Sequence, residues 1–124
     1  FQKPDIFPTL TVGQNVATGA MFGPRSQLPG AHGVDEILAR TGLATLSNSP
    51  AAGVDLLTRK RIMLAAALAT NPVVLFLDEP LAGLNAAEID TFVALLAEVR
   101  DAFGLTVVMV EHKVRALAGI SDRI

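Results

Sequence analysis

The sequence contains no cysteine among its 124 residues. A disulfide framework and a Cys-based zinc site are therefore excluded, and the composition fits a reducing compartment. Long apolar runs are also missing. Mean hydropathy is high at +0.47, yet the longest runs, Ile62 to Ala69 and Val73 to Leu77, fall far short of the roughly 20 residues a membrane helix needs. Any membrane contact must come through a partner. No block of Lys or Arg is present, and the net charge of -2 gives no electrostatic grip on nucleic acid or anionic lipid. The chain begins Phe1-Gln2-Lys3 with no initiator Met, charged n-region or apolar h-region, and it stops as a new apolar stretch begins, so both ends read as cut.

The residues that are there have enough apolar material, 51%, for one small core rather than two. Pro4 and Pro8 disfavour helix in the first ten residues. Thr11 and Gln14 fit a capping box, which predicts a helix from 12 to about 21. Gly and Pro crowd residues 22 to 33, the expected mobile loop, before a short helix that starts near Val34 and is ended by Gly42. After a polar break from Ser47 to Gly53, Arg59 to Thr70 reads as an Ala- and Leu-rich helix closed by Asn71-Pro72. Val73 to Leu77 and Thr106 to Val110 are continuous β-branched and apolar runs, the pattern of strands buried on both faces of a parallel sheet. Between them Ala86 to Phe103 is an amphipathic helix ended by Gly104, and a short helix through Leu117 follows. A strand, a helix of that length and a strand form a βαβ unit with parallel strands.

In such sheets the chemistry lies at the carboxyl ends of the strands. One strand delivers Asp78 and Glu79 there, the other Glu111 and His112. A carboxylate at a strand tip suits Mg²⁺, which keeps several waters and takes one or two carboxylates plus phosphate oxygens, and Asp78 fits that role. A neighbouring carboxylate can orient or deprotonate a water, and a histidine can stabilise charge on a phosphate oxygen. Glu79 and His112 fit those roles. Taken alone, each pair is equally compatible with a solvated strand end.

Val73-Val74-Leu75-Phe76-Leu77-Asp78-Glu79-Pro80, followed by Leu81-Ala82-Gly83-Leu84-Asn85, resembles the Walker B strand and D-loop of ATP-binding-cassette ATPases. Val107-Val108-Met109-Val110-Glu111-His112 resembles that family's switch strand with its histidine, and Phe1-Gln2 ahead of Ile6-Phe7-Pro8-Thr9-Leu10-Thr11-Val12 resembles its glutamine loop. The resemblance implies an α/β, P-loop NTPase-like (RecA-like) parallel-sheet half with an α-helical subdomain. It divides the chain into a glutamine-loop segment (1–11), a helical subdomain with the signature-region helix (12–70) and the second half of the nucleotide-binding core (71–124). It implies ATP and Mg²⁺ as ligands. Gln2 and Asp78 would hold the metal, Glu79 would polarise the attacking water, His112 would contact the γ-phosphate, and Asn85 with its loop would meet a second ATPase subunit head to tail. The other partners implied are transmembrane permease subunits, with the chain peripheral on the cytoplasmic face of the plasma membrane.

Two departures stand out. The family's signature loop, usually Leu-Ser-Gly-Gly-Gln or a close variant, should lie just ahead of Arg59-Lys60-Arg61, where this sequence reads Val54-Asp55-Leu56-Leu57-Thr58. Leu57 adds bulk and Asp55 adds a negative charge at positions expected to face a nucleotide phosphate. A similar Leu-Thr type loop before Arg-Lys-Arg occurs in branched-chain amino-acid importer ATPases, so the change is either a subgroup trait or a loss. The second departure is that no Gly-x-x-x-x-Gly-Lys-Ser/Thr occurs, so this stretch by itself should bind ATP poorly. Arg59, Lys60 and Arg61 read as a solvated helix face. The expectation is an importer ATPase subunit, most like those for branched-chain amino acids. The alternative is a non-catalytic copy that docks on a permease. A soluble cassette ATPase of DNA repair or translation would carry coiled-coil inserts or basic patches, and neither is found.

Overall fold

A computed structural model describes residues 6–22 and 32–111. Gln2, residues 23–31 of the loop expected at 22–33, His112 and the helix expected through Leu117 lie outside the described residues. Where composition suggests one small core, the chain forms two compact units that divide between Pro72 and Val73.

The first unit is helical. Helix α1 (Val12–Phe22) starts where the sequence predicts, and the capping box is formed. Thr11 Oγ1 accepts from the Gln14 N–H at 3.1 Å, and Gln14 Oε1 accepts from the Thr11 N–H at 2.9 Å. The first N–H groups of a helix have no partner inside it; here Val12 N donates to Ser49 O at 2.9 Å and Gly13 N to Ser47 O at 2.8 Å. The segment 47–51 is thereby tied to the start of α1, with an antiparallel bridge between Thr11 and Pro50. Asn15, buried on α1, fastens the preceding segment. Its Oδ1 accepts from Phe7 N at 2.6 Å, and its Nδ2 donates to Phe7 O at 3.1 Å and Thr11 O at 2.9 Å.

Helix α2 (Val34–Arg40) ends as expected at Gly42, whose φ of 73° only glycine adopts at no steric cost. A single 3₁₀ turn, Ala44–Leu46, follows. Helix α3 (Leu56–Leu68) begins three residues before the expected Arg59. The reason is local: Asp55 has extended backbone and its carboxylate accepts from the Thr58 N–H at 2.8 Å, so the helix starts at the first good cap. It ends before Thr70, through a turn to Asn71 at φ 56°. Val12, Val16, Ile37, Leu43, Ile62 and Ala65 are fully buried in this unit, and each of the Val, Ile and Leu side chains contributes about 1.5–3 kcal/mol on leaving water.

The second unit contains β1 (Val74–Asp78), α4 (Ala86–Phe103) and β2 (Thr106–Val110). The strands pair in parallel, Val74 opposite Thr106 and Asp78 opposite Val110. Strand β1 is shifted by one residue from the expected 73–77, and pairing with β2 draws Asp78 into it. Asn85 and Glu88 close a second capping box on α4, and Gly104 at φ 64° stops the helix. Among the described residues, the buried apolar ones here are Leu75, Leu81, Leu84, Phe92, Leu96 and Val99. Burial of the strands on both faces is not found among the described residues. Val74, Phe76, Val108 and Val110 are exposed, because side chains alternate across a sheet and the one helix of this unit among the described residues can cover only one face. The family resemblance accounts for the apolar character of the other face, since parallel sheets carry helices on both.

Gly19 of α1 allows a close approach to α3. A Cβ built on it would collide with the Ala66 backbone carbonyl and press on the Ala69 side chain. Alanine gains about 1 kcal/mol in helix propensity, whereas overpacking against rigid backbone costs about 1–3 kcal/mol. Gly19→Ala is expected to destabilise by about 1 kcal/mol net, read as a lower denaturant midpoint at unchanged slope, with Ala20→Gly as the propensity control.

Candidate functional site at the carboxyl edge of β1 and β2

Asp78 ends β1 as an exposed residue opposite Val110. The chain then turns sharply. Glu79 sits at φ 48°, the left-handed region that costs a residue with a Cβ on the order of 1–3 kcal/mol and persists only where neighbours hold it. The neighbours are visible. Glu79 N donates to Val110 O at 2.7 Å, Ala82 N donates to Glu79 O at 3.2 Å, and Leu84 N donates to Leu81 O at 3.2 Å. Gly83, at φ 85°, lets the chain swing back into α4. Leu81 is fully buried, so its N–H needs an acceptor; Glu111 Oε2, one residue past β2, supplies it at 2.9 Å. The turn from Glu79 to Leu84 is thus pinned to the end of β2, and Asp78, Glu79 and Glu111 gather at one edge.

Among the described residues no three His, Asp or Glu side chains converge into a metal-holding group. Among the same residues no helix is long and apolar enough to cross a membrane.

The family model described as ABC transporter matches residues 1–82. The chain belongs to the ABC transporter family. It is 31% identical across its whole length to the methionine import ATP-binding protein MetN 2 of Pectobacterium atrosepticum, covering 37% of that protein. It is 37% identical, again across its whole length, to the sulfate/thiosulfate import ATP-binding protein CysA 2 of Chromobacterium violaceum, covering 34% of it. Over 87 residues, 70% of the chain, it is 38% identical to the high-affinity branched-chain amino acid transport ATP-binding protein LivG of Escherichia coli, covering 34% of it. Among solved structures, cbiO1 from Clostridium perfringens, part of the ABC transporter complex cbiONQ, superposes with a TM-score of 0.80 at 30% identity over 94% of this chain and 46% of that one. The chain spans about a third of the length of the curated relatives it matches. The α/β fold, with its parallel strand pair, is that of the ABC ATPases.

Against this ABC family background, the sequence-predicted residues fall into three groups. Asp78 and Glu79 stand together at the strand edge. Asn85 is engaged locally, its Oδ1 accepting from the Glu88 N–H at 2.9 Å as the cap of α4. Asp55 and Leu57 lie in the helical unit, Asp55 as the cap of α3 and Leu57, half-buried, in its first turn. What sequence reasoning missed is the job of Glu111. It was legible as a carboxylate at a strand tip, but its bond to Leu81, 30 residues earlier, depends on the strand register. Asn15 was missed too, since its three bonds depend on where the segment before α1 lies.

The Thr58 hydroxyl and backbone N–H, with a smaller contribution from Arg61, hold the Asp55 carboxyl below its ordinary value of 3.8. A depressed folded-state pKa means that the cap's contribution is complete above about pH 4 and is lost as pH falls through the folded value. Asp55 is exposed, so the effect is small. Asp55→Ala is expected to cost about 1 kcal/mol at pH 7. Asp55→Asn, which still caps, should cost little at pH 7, and its deficit should vanish in acid, as measured by denaturant unfolding at pH 7 and pH 2.5.

Proposed function

We propose that this chain is the portion of an importer's ATP-binding and hydrolysing subunit that supplies the metal-holding and water-polarising edge. The observation that supports the reading is the strained Glu79, pinned beside Asp78 at the carboxyl end of a parallel strand pair, in a chain of the ABC family. In open parallel sheets ligands bind at that edge, and backbone strain concentrates where chemistry is done.

Asp78 holds Mg²⁺, with Gln2 as a second ligand by family resemblance. When bound, Mg²⁺ neutralises charge on the phosphate oxygens of ATP. Glu79 polarises the attacking water, and His112 hydrogen-bonds the γ-phosphate. Asn85, at the mouth of the turn, meets a second copy of the ATPase subunit arranged head to tail. Closure of the two copies around ATP drives permease subunits through the helical unit and the Gln2 segment, with the whole assembly peripheral on the cytoplasmic face of the plasma membrane. The permease selects the cargo. Similarity to LivG supports branched-chain amino acids, while MetN 2 and CysA 2 match over the whole chain, so the coarser reading, an importer ATPase, rests on all three.

One observation favours a second reading, a non-catalytic module that docks on a permease. The Asp55 carboxylate already occupies the Thr58 N–H at the start of α3, where the family's signature loop would offer donors to a phosphate. The two readings separate in the full-length protein. In the first, Glu79→Gln keeps Mg²⁺-dependent ATP binding and lowers kcat by roughly 100-fold or more. A parent protein that binds its permease but hydrolyses no ATP would establish the docking module instead.

A further inference from the structure

Glu111 carries a function that the strand-tip chemistry does not use. We propose that Glu111 is a positioning residue for hydrolysis, acting as a latch that sets Glu79 by clamping the turn behind it to the end of β2; this rests on the reading of Glu79 as the water-polarising carboxylate.

The turn holding Glu79 has two attachments to β2 among the described residues. One is at its start, where Glu79 N donates to Val110 O at 2.7 Å. The other is two residues on, where Leu81 N donates to Glu111 Oε2 at 2.9 Å. The last residue of β2 and the residue after it thus hold both ends of a three-residue arc that contains the left-handed Glu79. The Leu81 side chain is fully buried, so its N–H cannot turn to water without pulling the side chain out. A carboxylate acceptor makes the bond charge-assisted and stronger than a neutral one. Without it the arc loses its attachment at Leu81, and Glu79 can relax toward an unstrained backbone conformation that moves its carboxylate. Catalysis is sensitive to such displacement: a shift of about 1 Å can cost on the order of 100-fold in rate. Because the arc lies after Asp78, the latch should affect turnover rather than ATP binding.

The test uses the full-length protein and three variants. Glu111→Met keeps length and removes the acceptor, Glu111→Gln keeps an acceptor oxygen without the charge, and Glu79→Gln reports on the underlying reading. Steady-state ATP hydrolysis gives kcat and KM, and amide hydrogen exchange reports Leu81, with Phe92 and Leu96 of α4 as the control for global unfolding. The expected result is that Glu111→Met lowers kcat about tenfold with KM for ATP within about twofold, speeds exchange at Leu81 alone, and is rescued in both by Glu111→Gln. Unchanged kcat in Glu111→Met, alongside the collapse of kcat in Glu79→Gln, would overturn the latch and leave the reading of Glu79 intact. Exchange rising together at Leu81, Phe92 and Leu96, or a Gln variant as slow as the Met variant, would also overturn the latch. Unchanged hydrolysis in Glu79→Gln would remove the reading on which it rests.

Discussion

The parallel pairing of β1 with β2 is the constraint on which the candidate site depends. Parallel neighbours place both carboxyl ends at one edge, and α4 is the crossover that makes the pairing possible. Register then decides which atoms meet there. With Asp78 opposite Val110, the next residue on each strand is a carboxylate, and the backbone of one reaches the last carbonyl of the other. The left-handed geometry of Glu79 follows from this. A chain leaving β1 has to reverse into α4 within a few residues, and Glu79 takes the sharpest part of that reversal. Its cost, on the order of 1–3 kcal/mol, is comparable to what a few good hydrogen bonds return at about 1 kcal/mol each. The bonds from Glu79, Ala82 and Leu81 are of that number and kind.

The helical unit is organised by a different device, the satisfaction of helix ends. Thr11 and Gln14 cap α1 from within the sequence, while Ser47 and Ser49 carbonyls finish the job from a distant segment. That division binds α1 to the segment leading into α3, and Asn15 adds the stretch ahead of α1. Polar groups that would be costly to bury unpaired thereby specify which loops lie beside which helix. Asp55 does the same for α3, its carboxylate accepting from the Thr58 N–H at the start of the helix.

Much of this was legible in the sequence because the deciding signals are local. The Thr11–Gln14 box, the Gly42 and Gly104 stops and the full extent of α4 rest on interactions a few residues apart, and those boundaries were found. The parallel arrangement followed from a strand, a long helix and a strand. Three things were hidden. The start of α3 was misplaced because Asp55 was read as a disturbance to an anion site rather than as a cap, although an Asp three residues before Thr58 is an ordinary cap signal. Exposure of Val74, Phe76, Val108 and Val110 could not be read, because an apolar run states that a face tends to be covered and not what covers it. The bond from Leu81 to Glu111 spans 30 residues and exists only once the register is known. At the candidate site, Asp78 and Glu79 were found as residue types at a strand end, whereas the strain on Glu79 and the latch behind it belong to the three-dimensional turn.

The most direct measurement of the central claim is paramagnetic relaxation by Mn²⁺, which replaces Mg²⁺ at oxygen sites, in the full-length protein with a non-hydrolysable ATP analogue. If the edge of β1 holds the metal, amide resonances of Asp78 and Glu79 broaden beyond detection while those at the far end of α4, from Val99 to Phe103, remain sharp. Sharp Asp78 and Glu79 resonances at saturating Mn²⁺ and nucleotide would contradict it.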